Sequence, residues 1–351
     1  MTVRRRRLLI LGALGLALLL AALLSMAVGA RSVPLATVAE VLGNLGAAPH
    51  GGAGGAGGAL TSGALTSGDM AVVQSRIPRT MAALLVGACL GLAGTAMQGM
   101  VRNPLADPGL LGINSGAALA VVCASAFLGL QSITGYLWFA FLGSALAAIV
   151  VYAVASLGRG GATPVKLALA GAALTAGLSS LVSAVLITHQ NAFDAFRNWQ
   201  VGSFAGAGWP ELVAVLPLMA LGVLLVVFAG RWLNALALGD DLARGLGQRP
   251  AVARAVTALG VVLLCGSATA LAGPIGFIGL VVPHLLRAFG GADYQWLLPG
   301  SLLVAPLLVV LADVVGRMIL LPGEVSAGVV AVFLGAPVFI WLVRGRQAVA
   351  L

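Results

Sequence analysis

Apolar positions along this chain run on in long, nearly unbroken stretches, separated by short segments that carry most of the charge. Ten stretches stand out, at 8–29, 80–100, 112–130, 135–157, 165–188, 210–229, 254–273, 276–289, 297–316 and 325–343. A helix needs about 20 predominantly apolar residues to cross the hydrocarbon core of a bilayer, and all but one of the runs are near that length. The eighth is short, and Gly273-Pro274 breaks the chain just before it. Alternating segments of about ten residues, the mark of a membrane barrel strand, are absent. The pattern predicts an all-α, polytopic membrane protein, one transmembrane domain over residues 1–351 with about ten crossing helices.

The first run follows Arg4 to Arg7 and is similar to a secretion signal, with Val28-Gly29-Ala30 as a cleavage site. Its apolar part spans Leu8 to Val28, however, and a signal core is only about 7–15 residues long. It reads as an uncleaved first helix.

Composition agrees. Of 351 residues, 60% are hydrophobic and 8% charged, against about 25% charged in a soluble domain. A soluble enzyme is excluded on that ground. The net charge is +9, and the only lysine is Lys166. No aromatic-rich basic surface for stacking bases is visible, so nucleic acid is not an expected partner; the lipid bilayer is. With the N-terminus inside and the spans alternating, fourteen basic residues fall inside, among them Arg4 to Arg7, Arg102, Arg159, Arg244 and Arg254. Five fall outside: Arg31, Arg76, Arg79, Arg197 and Arg317. Cytoplasmic loops carry such an excess, which supports ten spans with both termini cytoplasmic. Cys89, Cys123 and Cys265 each sit within an apolar run and read as packing residues, not as disulfide or metal ligands.

Three connections are long. Residues 31–79 form an outer loop containing a glycine-rich insert at 51–58. Residues 189–209 carry Phe193, Phe196, Trp199 and Trp209, expected at the headgroup level. Residues 230–253 form the longest inner loop. Within it, Asp240-Asp241-Leu242-Ala243-Arg244-Gly245-Leu246-Gly247 reads as a short helix with acids at its start and an arginine near its end. Leu238, Leu242 and Leu246 recur every four residues and share a face. That face suits equally a helix lying on lipid and one plugged into a partner's groove.

Small residues are frequent inside the spans. Gly87-x-x-x-Gly91 and Gly112-x-x-x-Gly116 permit close helix approach. The fifth span contains Gly171, Thr175, Gly177, Ser179, Ser180 and Ser183, which suit packing or the wall of a wide translocation path. No phosphate-binding G-x-x-x-x-G-K-[ST] loop, H-E-x-x-H or G-x-S-x-G sequence occurs. His50, His189 and His284 lack metal-ligand spacing. Asp313, the clearest acid within a span, stands four residues before Arg317, a favourable helical pair. Transporters driven by protons or sodium keep several such groups at mid-membrane, so the energy for transport is expected to come from elsewhere.

Several motifs together resemble the FecCD-type permeases, membrane subunits of bacterial ABC importers for iron–siderophore complexes, haem and cobalamin. They are Arg76-Ile77-Pro78-Arg79-Thr80, Gln98, and Arg102-Asn103-Pro104-Leu105-Ala106-Asp107-Pro108-Gly109-Leu110-Leu111-Gly112. In the second half they are Gly273-Pro274-Ile275-Gly276-Phe277-Ile278-Gly279-Leu280, Val282-Pro283-His284, Arg287, Asp313, Arg317, Glu324 and Gly335-Ala336-Pro337. The resemblance implies a type II importer fold in the bacterial cytoplasmic membrane, working as a homo- or heterodimer with two ATP-binding subunits and an extracytoplasmic substrate-binding protein. It implies that Leu238, Gly239, Asp240, Asp241, Leu242, Ala243, Arg244, Leu246 and Gly247 couple to the ATPase, which itself binds ATP and Mg. No cofactor is expected on this chain, and no catalysis. Arg76, Arg79 and Arg317 would dock the binding protein, or else anchor helix ends. The fifth helix, and with it Gly171, Thr175, Ser179, Ser180 and Ser183, would line the path. Leu264 to Ala270 and Trp199 to Phe204 look most like ferric-siderophore members, with haem and then cobalamin as the next substrates. An ion-coupled secondary transporter is the alternative from another class.

Overall fold

The computed structural model describes residues 3–29, 31–44, 67–157 and 163–347. Among these the elements are all helical: α1 (Val3–Ala27), α2 (Leu35–Asn44), α3 (Ser67–Val101), α4 (Ile113–Leu128), α5 (Ile133–Ser156), α6 (Pro164–Thr188), α7 (Gln190–Gln200), α8 (Trp209–Phe228), α9 (Gly230–Ala237), α10 (Asp240–Gly245), α11 (Pro250–Ala272), α12 (Ile278–Gly290), α13 (Tyr294–Ile319) and α14 (Ala327–Gln347). Seven of them are long and apolar enough to cross a membrane, and three shorter apolar stretches lie at Ile113–Leu128, Ile278–Gly290 and Ala327–Ile340. Each expected span coincides with one of these ten. The glycine-rich insert at 51–58 and Arg159 lie outside the described residues.

Two expectations about loops are corrected. Residues 31–79 are not simply a loop, because α2 occupies part of them and α3 begins at Ser67. With 35 residues, α3 is about 52 Å long at the helical rise, more than a bilayer requires. Pro78 sits inside it without ending it. The aromatic connection is likewise a helix, α7, and its side chains divide. Phe196 and Trp199 are buried, whereas Phe193 and Trp209 are exposed. An amphipathic helix turned toward the bundle keeps only one face at the lipid boundary.

The core is organised around α3, which packs against α13, α11 and α12. Absent side chains allow this. A Cβ on Gly87 would lie 2.6 Å from the Pro306 Cα of α13, and one on Gly94 would lie 2.2 Å from the Gly279 carbonyl oxygen of α12. The expected glycine pairs are used differently from each other. Gly87 and Gly91 both meet α13, and Gly116 meets Gly143 of α5. Gly112 instead takes a positive φ of 69° and closes a 3-10 turn, Pro108–Leu111.

The short run is explained by irregular backbone. α12 has 13 residues, about 20 Å, and residues 273–277 precede it without helical structure. Backbone of this kind survives at membrane depth only when other parts of the protein satisfy it. Here the Gly273 amide donates to the Thr269 carbonyl at 2.9 Å, the Gly276 carbonyl accepts from Ile278 at 2.9 Å, and the Phe277 carbonyl accepts from Val281 at 2.9 Å; beside the segment, the Ser203 amide donates to the Ala272 carbonyl at 2.8 Å.

Candidate functional sites at the two ends of the bundle

α13 measures the molecule. It has 26 residues, about 39 Å, with Asp293 capping its start and Arg317 in its last turn. The Asp293 carboxylate accepts from Arg7 of α1 and Asn234 of α9, each at 2.9 Å. Burial opposes its charge, but the hydrogen bonds from Asn234 and the Gln295 amide, with Arg7 beside it, hold its carboxyl below the usual range. The start of α1, all of α9 and the start of α13 therefore share one end. Arg76, Arg79 and Arg317 share the other.

At the Asp293 end, α9 and α10 meet through Leu238 and Gly239. Gly239 has φ 108°, a conformation that side chains disfavour, and it turns the chain sharply into the six-residue α10. Ala243 is fully buried, so the inner side of α10 is seated on the bundle. Leu238, Leu242 and Leu246 are 60%, 60% and 65% exposed. The three leucines make an exposed apolar ridge around α10, but the single helical face expected of them is corrected, because the Gly239 turn separates Leu238 from α10 and Leu246 follows it. Asp241 and Arg244 pair on the surface at 2.9 Å, and Gly247 ends the turn with φ 78°.

What seats α10 is Asp240. One of its carboxylate oxygens receives Arg254 of α11 at 2.6 Å and Arg102, just beyond α3, at 2.8 Å. Burial opposes the charge on Asp240, but the hydrogen bond from Arg254 and the positive charges of Arg254, Arg102 and Arg244 outweigh it and hold its carboxyl below the usual range. Arg102 and Arg254 were legible only as inside charges. Their convergence on Asp240 has no local signal, because the three residues belong to distant parts of the chain. Arg102 also opens the Arg102-to-Gly112 motif. That motif reaches α6 at Gly171, where a Cβ would lie 1.8 Å from the Leu110 carbonyl oxygen.

At the opposite end the arginines are enclosed. Arg76 is 8% exposed and Arg317 is 4% exposed. The Arg76 Nη1 donates to the carbonyls of Met26 at 2.9 Å and Ala27 at 3.2 Å, and its Nη2 donates to Arg31 at 2.6 Å. Arg317 Nη1 donates to the carbonyls of Ser25 at 2.9 Å and Val28 at 3.1 Å, and its Nη2 donates to Ser25 Oγ at 2.7 Å. Ser25, Met26 and Ala27 lie in the last turn of α1, whose carbonyls a helix leaves without intrahelical donors. Two guanidinium groups thus cap α1, and in this conformation Arg76 and Arg317 are enclosed by it. Asp313 does pair with Arg317, at 3.1 Å, but Arg79 of α3 is nearer, at 2.8 Å. Arg79 also holds Glu324 at 2.9 Å.

The residues expected along the path separate too. Gly171 is a close-packing position against Leu110, not a wall residue. Thr175 is half-buried, and Ser179, Ser180 and Ser183 are exposed along an outer face of α6. Ser180 and Ser183 donate to the carbonyls of Ala176 and Ser179, each at 3.0 Å, so their hydroxyls are satisfied within the helix. The result is a smooth, weakly polar strip. Gln98, buried in α3, accepts from Arg287 at 2.6 Å and donates to the Gly279 carbonyl at 3.3 Å, joining three of the motif residues.

A bundle of membrane helices with a small helix presented on one end and a sealed charge cluster at the other defines a polytopic membrane transport subunit. Comparison with known proteins makes this specific. The FecCD transport family matches residues 17–345, and the chain belongs to that family. It is 42% identical to the ferric enterobactin transport system permease protein of Escherichia coli (strain K12), over 94% of this chain and 93% of that protein. It is also 42% identical to the iron(3+)-hydroxamate import system permease protein of Bacillus subtilis (strain 168), over 78% of this chain and 71% of that protein. Among solved structures, an inward-facing ABC transporter assigned to the metal-chelate type superposes with a TM-score of 0.79 at 28% identity, covering 96% of this chain and 99% of that one. The type II importer fold is thereby established for this chain.

Proposed function

We propose that this chain is the permease subunit of an ATP-driven importer that moves a ferric-siderophore complex across the bacterial cytoplasmic membrane, with both termini cytoplasmic. It works as one of two permease subunits, with two ATP-binding subunits on the inner face and a substrate-binding protein on the outer face. ATP and Mg are bound by the ATPase. The observation that carries this reading is the Leu238–Leu242–Leu246 ridge, seated by Asp240 at the end of the bundle that gathers Arg7, Arg102 and Arg254. Apolar side chains on a charged cytoplasmic end are an anchor for a protein partner, and each buries roughly 1.5–3 kcal/mol of apolar exposure on docking. The relatives' ferric enterobactin and iron(3+)-hydroxamate substrates support the siderophore assignment.

The geometry supports a route for the stroke. Closure of the ATPase subunits pushes α10. Asp240 carries that displacement to Arg102 and the segment behind it, whose Leu110 bears on Gly171 of α6. Thr175, Ser179, Ser180 and Ser183 then line a path between two permease subunits. Weakly polar walls without a strong site suit a large chelate whose recognition resides in the binding protein.

The test is reconstituted uptake. The chain, its permease and ATPase partners and the loaded binding protein are placed in vesicles, and uptake of a radioactive ferric siderophore is followed. Uptake requires ATP inside the vesicle and survives an ionophore. Uptake that continues without the ATPase and stops with the ionophore would establish a secondary transporter instead.

A further inference from the structure

Arg79 divides one guanidinium between two carboxylates of unlike character. Its Nε and Nη2 face Asp313, at 3.1 Å to Oδ2 and 2.8 Å to Oδ1. Its Nη1 faces Glu324, at 2.9 Å and 3.2 Å to the two oxygens. Asp313 is 1% exposed and is shared with Arg317. It cannot leave without stranding two cations away from water. Glu324 is 36% exposed and rides on an exposed surface segment, residues 320–324, between α13 and α14. It can turn into water at little cost. Arg79 and Arg317 against Asp313 and Glu324 balance; with Glu324 turned away, one positive charge is left at the surface with its Nη1 edge open. Arg76 and Arg317 cannot serve in the same way, because their donors are committed to α1.

We propose that Glu324 is a placeholder on Arg79, displaced by a carboxylate of the extracytoplasmic binding protein when that protein docks. The proposal rests on the reading of this end as the docking face and adds the atoms that exchange. A carboxylate occupies Nη1 in both the free and the docked permease, so neither state leaves the guanidinium edge bare. The forked geometry of arginine suits two carboxylates at once, one on each edge, which a lysine ammonium cannot reproduce. The intrachain pair then acts as a competitor that sets docking affinity and keeps the unoccupied permease from holding other anions.

The experiment measures binding of the loaded cognate binding protein to the assembled transporter in nanodiscs by surface plasmon resonance. Glu324→Gln removes the competitor and keeps its shape, and docking should tighten by about threefold or more, the scale of one exposed ion pair. Arg79→Lys should weaken docking and abolish the gain from Glu324→Gln when the two are combined. Unchanged or weaker docking by Glu324→Gln, with Arg79→Lys still harmful, overturns the exchange and leaves the docking face standing. Two variants without effect overturn both. A gain that persists undiminished in the Arg79→Lys background is a general charge effect and overturns the exchange. Should Arg79→Lys fail to assemble, Glu324→Ala decides: equal tightening by Ala and Gln supports displacement, and lost docking refutes it.

Discussion

Two aspartates in this molecule each hold two arginines, at opposite ends of the bundle. Asp313 is 1% exposed and joins Arg79 and Arg317, whereas Asp240 is 26% exposed and joins Arg102 and Arg254. The contacts are alike in length, and the surroundings make them different. Around Asp313, Arg317 also caps α1 and Arg79 comes from α3, so the cluster ties α1, α3 and α13 into one unit. Around Asp240 the cluster holds a six-residue helix, and the leucines on and beside it are exposed among the described residues. One cluster joins long helices within the bundle, and the other holds a short helix at its surface.

The comparison breaks most readily at its buried end. Asp313→Asn takes a carboxylate from buried Arg317 and from partly buried Arg79, and losing one partner of a buried pair costs about 3–5 kcal/mol. The variant should melt well below the wild type in detergent, and an unchanged melting temperature would show that Asp313 is not structural. Next comes the ridge. Leu242→Asp with Leu246→Asp should leave the melting temperature of the isolated chain unchanged, because both side chains are already exposed. Recovery of the ATPase in co-purification should fall by an amount consistent with roughly 1.5–3 kcal/mol per leucine. Full recovery with normal transport would hand the ridge to the lipid surface.

A smaller effect is expected at Asp240. Its folded carboxyl lies below the ordinary value, so its contribution is fully present above the unfolded pKa, about 3.9, and is lost as pH falls through the lower folded value. Asp240→Asn should therefore remove part of the acid-side loss of stability in a pH series, and superimposable pH profiles would contradict the pairing. Smallest of all is Asp241→Asn. Asp241 is 98% exposed and meets only Arg244, so no measurable change in stability or assembly is expected. A marked loss of ATPase capture in that variant would make Asp241 a direct contact and sharpen the outline of the coupling surface.

Much of this was readable from the chain itself. The ten spans follow from runs of about 20 apolar residues, and crossing a bilayer is a local requirement. The short helix within residues 230–253 was legible from its acids at the start and arginine near the end, and α10 is there. Asp313 and Arg317 are neighbours on one helix, so their pairing was legible as well. The enclosure of Arg76 and Arg317 was not, because an arginine motif reads the same whether its guanidinium faces a partner or a helix end. Gly171 was read with its serine neighbours, and only the position of Leu110 separates it from them.

The sequence by itself determined the class of solvent and the order of the ten apolar spans, since each depends on residues close together along the chain. The tertiary structure alone decided which charges meet, which of them remain open and which glycines are points of contact. Those outcomes depend on where α1, α3, α11 and α13 bring distant residues within about 3 Å, the range over which a hydrogen bond is made or lost.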